Sequence, residues 1–202
     1  MSVYRLSKQD AARAALVLAD AFHDDAMWQA ILEDGVTSAQ KVASFETLVV
    51  YCHTYGEVWA PSADLEGIIA WLPGRYTKMT IWRMLRSGAI LPGLRVGAKL
   101  AKKMETLFAP FDRDREAHMK GRAYLYIDIF GVGRAFQGQG HGGTLLRALI
   151  AKSDREKLPI YVETQTEGNV SMYTRFGFEV IQKATVSEID LPYWELVKEP
   201  AG

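Results

Sequence analysis

AYLYIDIFGV at 123–132 runs into GRAFQGQGHGGT at 133–144, and these twenty-two residues decide the fold. The first ten are rich in aromatic and β-branched side chains and predict a central strand. A helix is predicted over 140–157, with Leu145, Leu146, Leu149 and Ile150 as its apolar stripe. Lys152, Arg155 and Lys157 fall near its C-terminus, where the helix dipole favours positive charge. Pro159 stops it, and Ile160-Tyr161-Val162-Glu163-Thr164 is the next strand. Strand, helix and strand in that order imply a right-handed crossover between parallel strands. A short helix over 170–175, stopped by Gly177, and strands from Phe178 and near Val186 complete an α/β unit.

Upstream, 3–6 reads as a first strand, and Ser7 with Asp10 as a helix start. Ala11, Ala15, Leu16, Leu18, Ala19 and Phe22 recur at spacings of three and four, an amphipathic helix over 10–22. A second helix is expected over 38–53, buried through Val42, Phe45, Leu48 and Val49. Two hairpin strands follow at 56–61 and 65–72. The stretch 77–119 reads as two helices broken at Pro92-Gly93. Its cations, among them Arg83, Arg86, Arg95, Lys99, Lys102 and Lys103, suit a membrane-surface helix or a solvated face on a packed helix, and the second is the commoner case.

Composition narrows the function classes. Of 202 residues, 49% are hydrophobic and 24% charged, the balance of an ordinary globular protein. Lys plus Arg equals Asp plus Glu at 24 each, so no global field calls for nucleic acid or membrane, and an anion site must be built locally. One cysteine, Cys52, excludes an internal disulfide and a cysteine-rich zinc site. His23, His53, His118 and His141 have no metal-ligand spacing, so no metal is expected. No secretory leader and no membrane-spanning apolar run is visible, and a cytoplasmic protein is expected.

The turn into the helix carries Gly138, Gly140, Gly142 and Gly143. Glycines let a ligand approach the backbone, and the first helical N–H groups point outward at the positive end of the dipole. Together they suit a phosphate. A P-loop needs Lys before Ser or Thr, but Gly143 precedes Thr144. A dinucleotide fingerprint started at Gly131-Val132-Gly133 meets Phe136 where glycine should stand.

The third reading fits: Gln137-x-x-Gly140-x-Gly142 resembles the Gln/Arg-x-x-Gly-x-Gly/Ala motif of the GNAT superfamily of N-acetyltransferases. Asn169-Val170-Ser171-Met172-Tyr173-Thr174-Arg175-Phe176-Gly177-Phe178 resembles that superfamily's later Asn…Tyr-x-x-x-Gly-Phe element. The short Asn-to-Tyr interval is similar to the puromycin N-acetyltransferase-like branch, with Ser171 in place of its Pro. Ala21-Phe22-His23-Asp24-Asp25 and Ala70-Trp71-Leu72-Pro73 extend the branch resemblance upstream.

The resemblance implies a single-domain α/β GNAT fold over 1–202, a mixed central sheet of about six or seven strands flanked by helices. In it, 77–119 is a helical insertion before the central strand and 123–180 the acetyl-CoA-binding core. It implies acetyl transfer from acetyl-CoA to a primary amine of a small molecule, with a non-catalytic acyl-CoA-binding sensor as the alternative. Gln139, Gly140, His141, Gly142, Gly143 and Thr144 would bind the CoA pyrophosphate, with Gln137 and Gly138 shaping the turn. Backbone groups near Phe130 and Val132 would bond pantetheine, and Asn169 would fix that geometry. Tyr173 is the candidate general acid for the thiolate, a phenol still protonated at neutral pH. For the base, Asp128, Glu163 and a water chain stay open. Asp128 shares a face with Tyr126 if the strand is regular. The acceptor would be enclosed by the first two helices, the 77–119 segment and the C-terminal strands. Trp28, Trp71, Trp82 and Tyr126 are candidate walls or core. A homodimer is left open.

Overall fold

The computed structural model describes residues 3–32 and 35–201. Seven strands form one sheet in the order β1-β2-β3-β4-β5-β7-β6. They are β1 (Tyr4–Arg5), β2 (Glu57–Ala60), β3 (Gly67–Pro73), β4 (Leu125–Val132), β5 (Ile160–Thr164), β6 (Glu179–Val186) and β7 (Leu191–Lys198). Neighbours are antiparallel except β4 and β5, the parallel pair that the crossover requires.

Helices cover both faces. α1 (Ala11–Ala21), α2 (Ala26–Leu32) and α3 (Ser38–Tyr55) lie on one, with α4 (Ile81–Ser87), α5 (Ile90–Val96) and α6 (Ala98–His118) extending that side. α7 (His141–Glu156) and α8 (Glu167–Arg175) take the other. Alternation along β3 decides the partition: Ile68, Ala70 and Leu72 join the core under α1 and α3, Ile69 and Trp71 the core under α7. The stripe Leu145, Leu146 and Leu149 is fully buried there.

Several expectations need correcting. Leu16 is exposed, and Ala14 takes the inward position on α1. The stretch 77–119 holds three helices, separated at Gly88 (φ 85°) and Gly97 (φ 82°) rather than at Pro92-Gly93. Pro92 sits in the first turn of α5, where a missing N–H breaks no helical bond. The α2 helix was not expected; Asp25 accepts from the Trp28 N–H and caps its start. Val186 ends β6, so the last strand lies beyond it at β7.

The central strand is not regular. Ala70 faces Ile129 and Trp71 faces Ile127, which leaves Asp128 as an extra residue in β4. This bulge reverses the alternation: Ile127 packs with the α7 core, Ile129 with the α1–α3 core, and Phe130 again toward α7.

Candidate functional site

β4 and β5 pair only at Leu125–Ile160 and Tyr126–Tyr161. Beyond that point the edge of β4 has no strand partner, and a cavity of about 500 Å³ opens between the parted strands. Tyr126 to Phe130 and Val162 to Thr164 line it, with Asn169 and Tyr173 from α8. Its far walls come from the α1–α2 turn, α3 and α6, through Phe22, Met27, Trp28, Leu48, Met104 and Phe108.

Five residues singled out in the sequence thus meet at one cavity: Asp128, Phe130, Glu163, Asn169 and Tyr173. Tyr173 is 4% exposed, and its hydroxyl hydrogen-bonds no protein group among the described residues. Burial raises the phenol well above its ordinary value, so it stays protonated and can donate. Asn169 is not the cap of α8. Thr166 is, its Oγ1 accepting from the Asn169 N–H at 3.2 Å, while Asn169 Nδ2 donates to Thr164 Oγ1 at 3.0 Å. That bond ties the helix to the end of β5.

Asp128 stands where the bulge turns it toward α3. There the Cys52 thiol donates to its Oδ2 across 3.4 Å. Burial pushes the Asp128 carboxyl up to about 6, against the opposing effects of that bond and of Arg115. The thiol is itself pushed up by burial, so it remains a donor.

Glu163 is committed differently. Its Oε1 accepts from Arg115 Nη1 at 3.1 Å, and both side chains are almost wholly buried. Arg115 also donates to Asp112 and lies with its guanidinium 4.3 Å from the Tyr126 ring centre. Burial still lifts the Glu163 carboxyl to about 7, with Arg115 opposing. Arg115, Asp112 and Cys52 carry no local motif that marks them as site residues, and Asp25 stands out only within Ala21-Phe22-His23-Asp24-Asp25. α3, α6 and the α1–α2 turn bring them in from far along the chain.

The glycine loop lies beside the cavity, not in its wall. Gly138 and Gly140 hold φ of 76° and 85°, left-handed values that side chains disfavour. Gln137 Nε2 donates to the Val132 carbonyl at 3.1 Å and Gln139 Nε2 to that of Ala135 at 2.9 Å, pinning both ends of the turn. Thr144 N–H bonds back to Gly140, so the N–H groups of His141, Gly142 and Gly143 precede the first helical bond and are open to an anion. A Cβ on Gly142 would stand 3.1 Å from Phe130 Cζ. The loop and the cavity therefore share the Phe130 ring as a common wall. Asp20 of α1 fastens the approach, accepting from the Arg134 N–H at 2.8 Å and its Nε at 3.0 Å.

Two expected walls lie elsewhere. Trp71 packs edge-on to Trp59 on the α7 face, and Trp82 is 78% exposed. Trp28 and Tyr126 do line the cavity. Among the described residues no group of acids, histidines and cysteine is placed to hold a metal ion, and no helix is long and apolar enough to cross a membrane.

Residues 95–178 match the family model described as the acetyltransferase (GNAT) family. An uncharacterized N-acetyltransferase of Schizosaccharomyces pombe is 27% identical over 210 residues, covering 99% of this chain and 84% of the relative. Among solved structures, a protein described as histone acetyltransferase HPA2 and related acetyltransferase, from Corynebacterium glutamicum, superposes with a TM-score of 0.68 at 18% identity. That match covers 100% of this chain and 97% of the other. The Drosophila melanogaster polyamine N acetyltransferase gives a TM-score of 0.68 at 10% identity, over 98% of this chain and 99% of its own. The fold is that of the GNAT proteins, and in sequence the chain is similar to the acetyltransferase (GNAT) family over 95–178.

Proposed function

We propose that the protein transfers the acetyl group of acetyl-CoA to a primary amine on a small molecule with an apolar body. The observation that carries this reading is the parted β4–β5 edge, with an anion cradle on one side and an apolar, acid-bearing cavity on the other. The cradle fits a pyrophosphate: its N–H groups are free of helical partners, and Gly142 brings the backbone close against Phe130. Gln139, Gly140, His141, Gly142, Gly143 and Thr144 would hold that group, with the free N–H groups supplied by His141, Gly142 and Gly143 and the turn set by Gln137 and Gly138. The unpaired edge at Asp128–Phe130 offers backbone groups to pantetheine and an N–H for the oxyanion.

In the transfer, the amine nitrogen attacks the thioester carbonyl, and the carbon–sulfur bond breaks as the amide forms. Asp128 takes the proton from the amine, directly or through water, because its carboxyl titrates near 6 and is ionised at neutral pH. Tyr173 gives a proton to the departing thiolate. Glu163, held by Arg115, is the second candidate base. The cavity walls favour an amine carried on aromatic or aliphatic carbon: Phe22, Trp28, Met104 and Phe108 supply apolar surface, while Asp25 and Asp128 supply negative charge. The puromycin N-acetyltransferase-like branch rests on sequence resemblance alone and does not fix the acceptor.

The test is thiol release from acetyl-CoA with a panel of arylalkyl and alkyl monoamines, polyamines and aminoglycosides. Release with the apolar monoamines is expected. Acetyl-CoA binding without thiol release in the presence of any amine would make the protein a non-catalytic acyl-CoA-binding module instead.

A further inference from the structure

Outside the cavity, a cluster of exposed large apolar side chains among the described residues lies on α4 and α5. Trp82, Leu91 and Leu94 are 78%, 70% and 72% exposed, and Ile81 and Leu85 are exposed with them. Both helices pack on α3 and meet each other across Gly93 and Met84, so their other faces look outward together. Ile81, Trp82 and Leu85 share the outer face of α4, and Leu91 and Leu94 that of α5. Trp82, expected as a cavity wall or as core, is turned to solvent with them.

Charge sets the kind of partner. From Gly67 to Met104 the chain carries eight Lys and Arg and no Asp or Glu, although the whole protein is neutral. Arg95 and Lys102 meet acids from outside the stretch, Glu46 and Glu105. Arg86 follows Trp82 by one helical turn and is exposed beside it. Two copies meeting through this face would oppose cation to cation, which disfavours self-association. Exposed Trp and Leu ringed by Lys and Arg is instead the composition of a helix that rests in the headgroup layer.

We propose that the outward face of α4 and α5 docks on an anionic phospholipid surface, Trp82, Leu91 and Leu94 entering the interface and Arg86 and its neighbours meeting the headgroups. This departs from the expectation, drawn from the balanced overall charge, that no membrane is a partner. The surface is peripheral, as no described helix can span a bilayer.

The experiment is sedimentation of the full chain with phosphatidylcholine vesicles, with and without phosphatidylserine, at low and raised salt. Binding to the phosphatidylserine vesicles alone, weakened by salt, is expected. Trp82 emission should shift to the blue, since Trp28, Trp59, Trp71 and Trp194 are buried already. Arg86→Gln should lower partition about fivefold, from about 1 kcal/mol per cation near an anionic surface. Trp82→Ser with Leu94→Ser should abolish it while thiol release from acetyl-CoA is kept. The proposal is overturned by no partition onto phosphatidylserine vesicles, by equal partition onto phosphatidylcholine, or by full retention in both variants. A dimer dispersed by the Trp82→Ser/Leu94→Ser pair would also overturn it, assigning the face to a second copy.

Discussion

Replacing Asp128 by Asn should stabilise the protein and slow it at once. Burial lifts this carboxyl from 3.8 to about 6. Between those values the folded chain keeps a proton that the unfolded chain has released. Stability therefore falls as pH rises from about 4 to about 6, and the whole loss persists above that window. About two pKa units at about 1.4 kcal/mol each give a cost of about 3 kcal/mol at neutral pH. Asn keeps the shape and still accepts from the Cys52 thiol, so it removes the buried charge and little else. Urea unfolding of both proteins at about pH 4 and about pH 8 would measure this. The Asn variant should match the wild type in acid and exceed it by up to about 3 kcal/mol in mild alkali. Turnover should fall by about 10²–10⁴, and the rising limb of activity near pH 6 should vanish. Equal stability at both pH values would refute the reasoning, because the carboxylate would then carry no desolvation cost. Unchanged turnover would remove Asp128 as the base.

Tyr173→Phe should reduce thiol release by about 10²–10⁴ in single turnover while the acetyl-CoA dissociation constant, read by titration, moves less than about twofold. Gly140→Ala puts a side chain at φ 85° and should cost about 1–2 kcal/mol, with weaker acetyl-CoA binding seen in the same titration. Arg115→Met leaves Glu163 buried without its cation and should cost up to about 3–5 kcal/mol in mild alkali, where the carboxyl would be ionised. Since the Glu163 carboxyl is already lifted to about 7, that loss should shrink as pH falls and the acid is protonated, which thermal melts at two pH values would show.

The strand, glycine turn and helix on one side of the candidate site were legible because they are encoded locally. A strand, a glycine turn and a helix follow one another within thirty-four residues at 123–156, and Gly138 and Gly140 occupy the left-handed conformations that make their identity informative. The crossover to Ile160–Thr164 and the helix bearing Tyr173 follow from the same short-range rules. The bulge at Asp128 was not legible. AYLYIDIFGV alternates without interruption, and the extra residue is defined only by β3 pairing across it. Tyr126 and Asp128 do line the same cavity, but Ile129 turns to the α1–α3 core, away from the face of Ile127. The helix breaks at Gly88 and Gly97 were hidden for a related reason. Pro92-Gly93 is the stronger turn signal, yet a proline in a first turn costs no hydrogen bond.

The cavity proposed for the acceptor resisted the sequence for a physical reason that also bears on the proposed function. Its walls come from the α1–α2 turn, from α3 and from α6, and residues as distant as Asp25 and Arg115 meet only on folding. Nothing in such a wall needs a glycine or a fixed spacing, so no short pattern marks it. Under the proposed function the donor elements, by contrast, would be constrained by a backbone that meets a phosphate and by a strand edge that stays open. A change of acceptor can then be made in α2 or α6 without disturbing the cradle, provided the Arg115–Glu163 pair is kept. That pair joins α6 to β5 at the parted edge, so it ties the α6 wall of the cavity to the strand that carries Glu163. Substitutions at Met104 or Phe108 should therefore alter which amine is accepted, whereas a change at Arg115 should affect every amine alike.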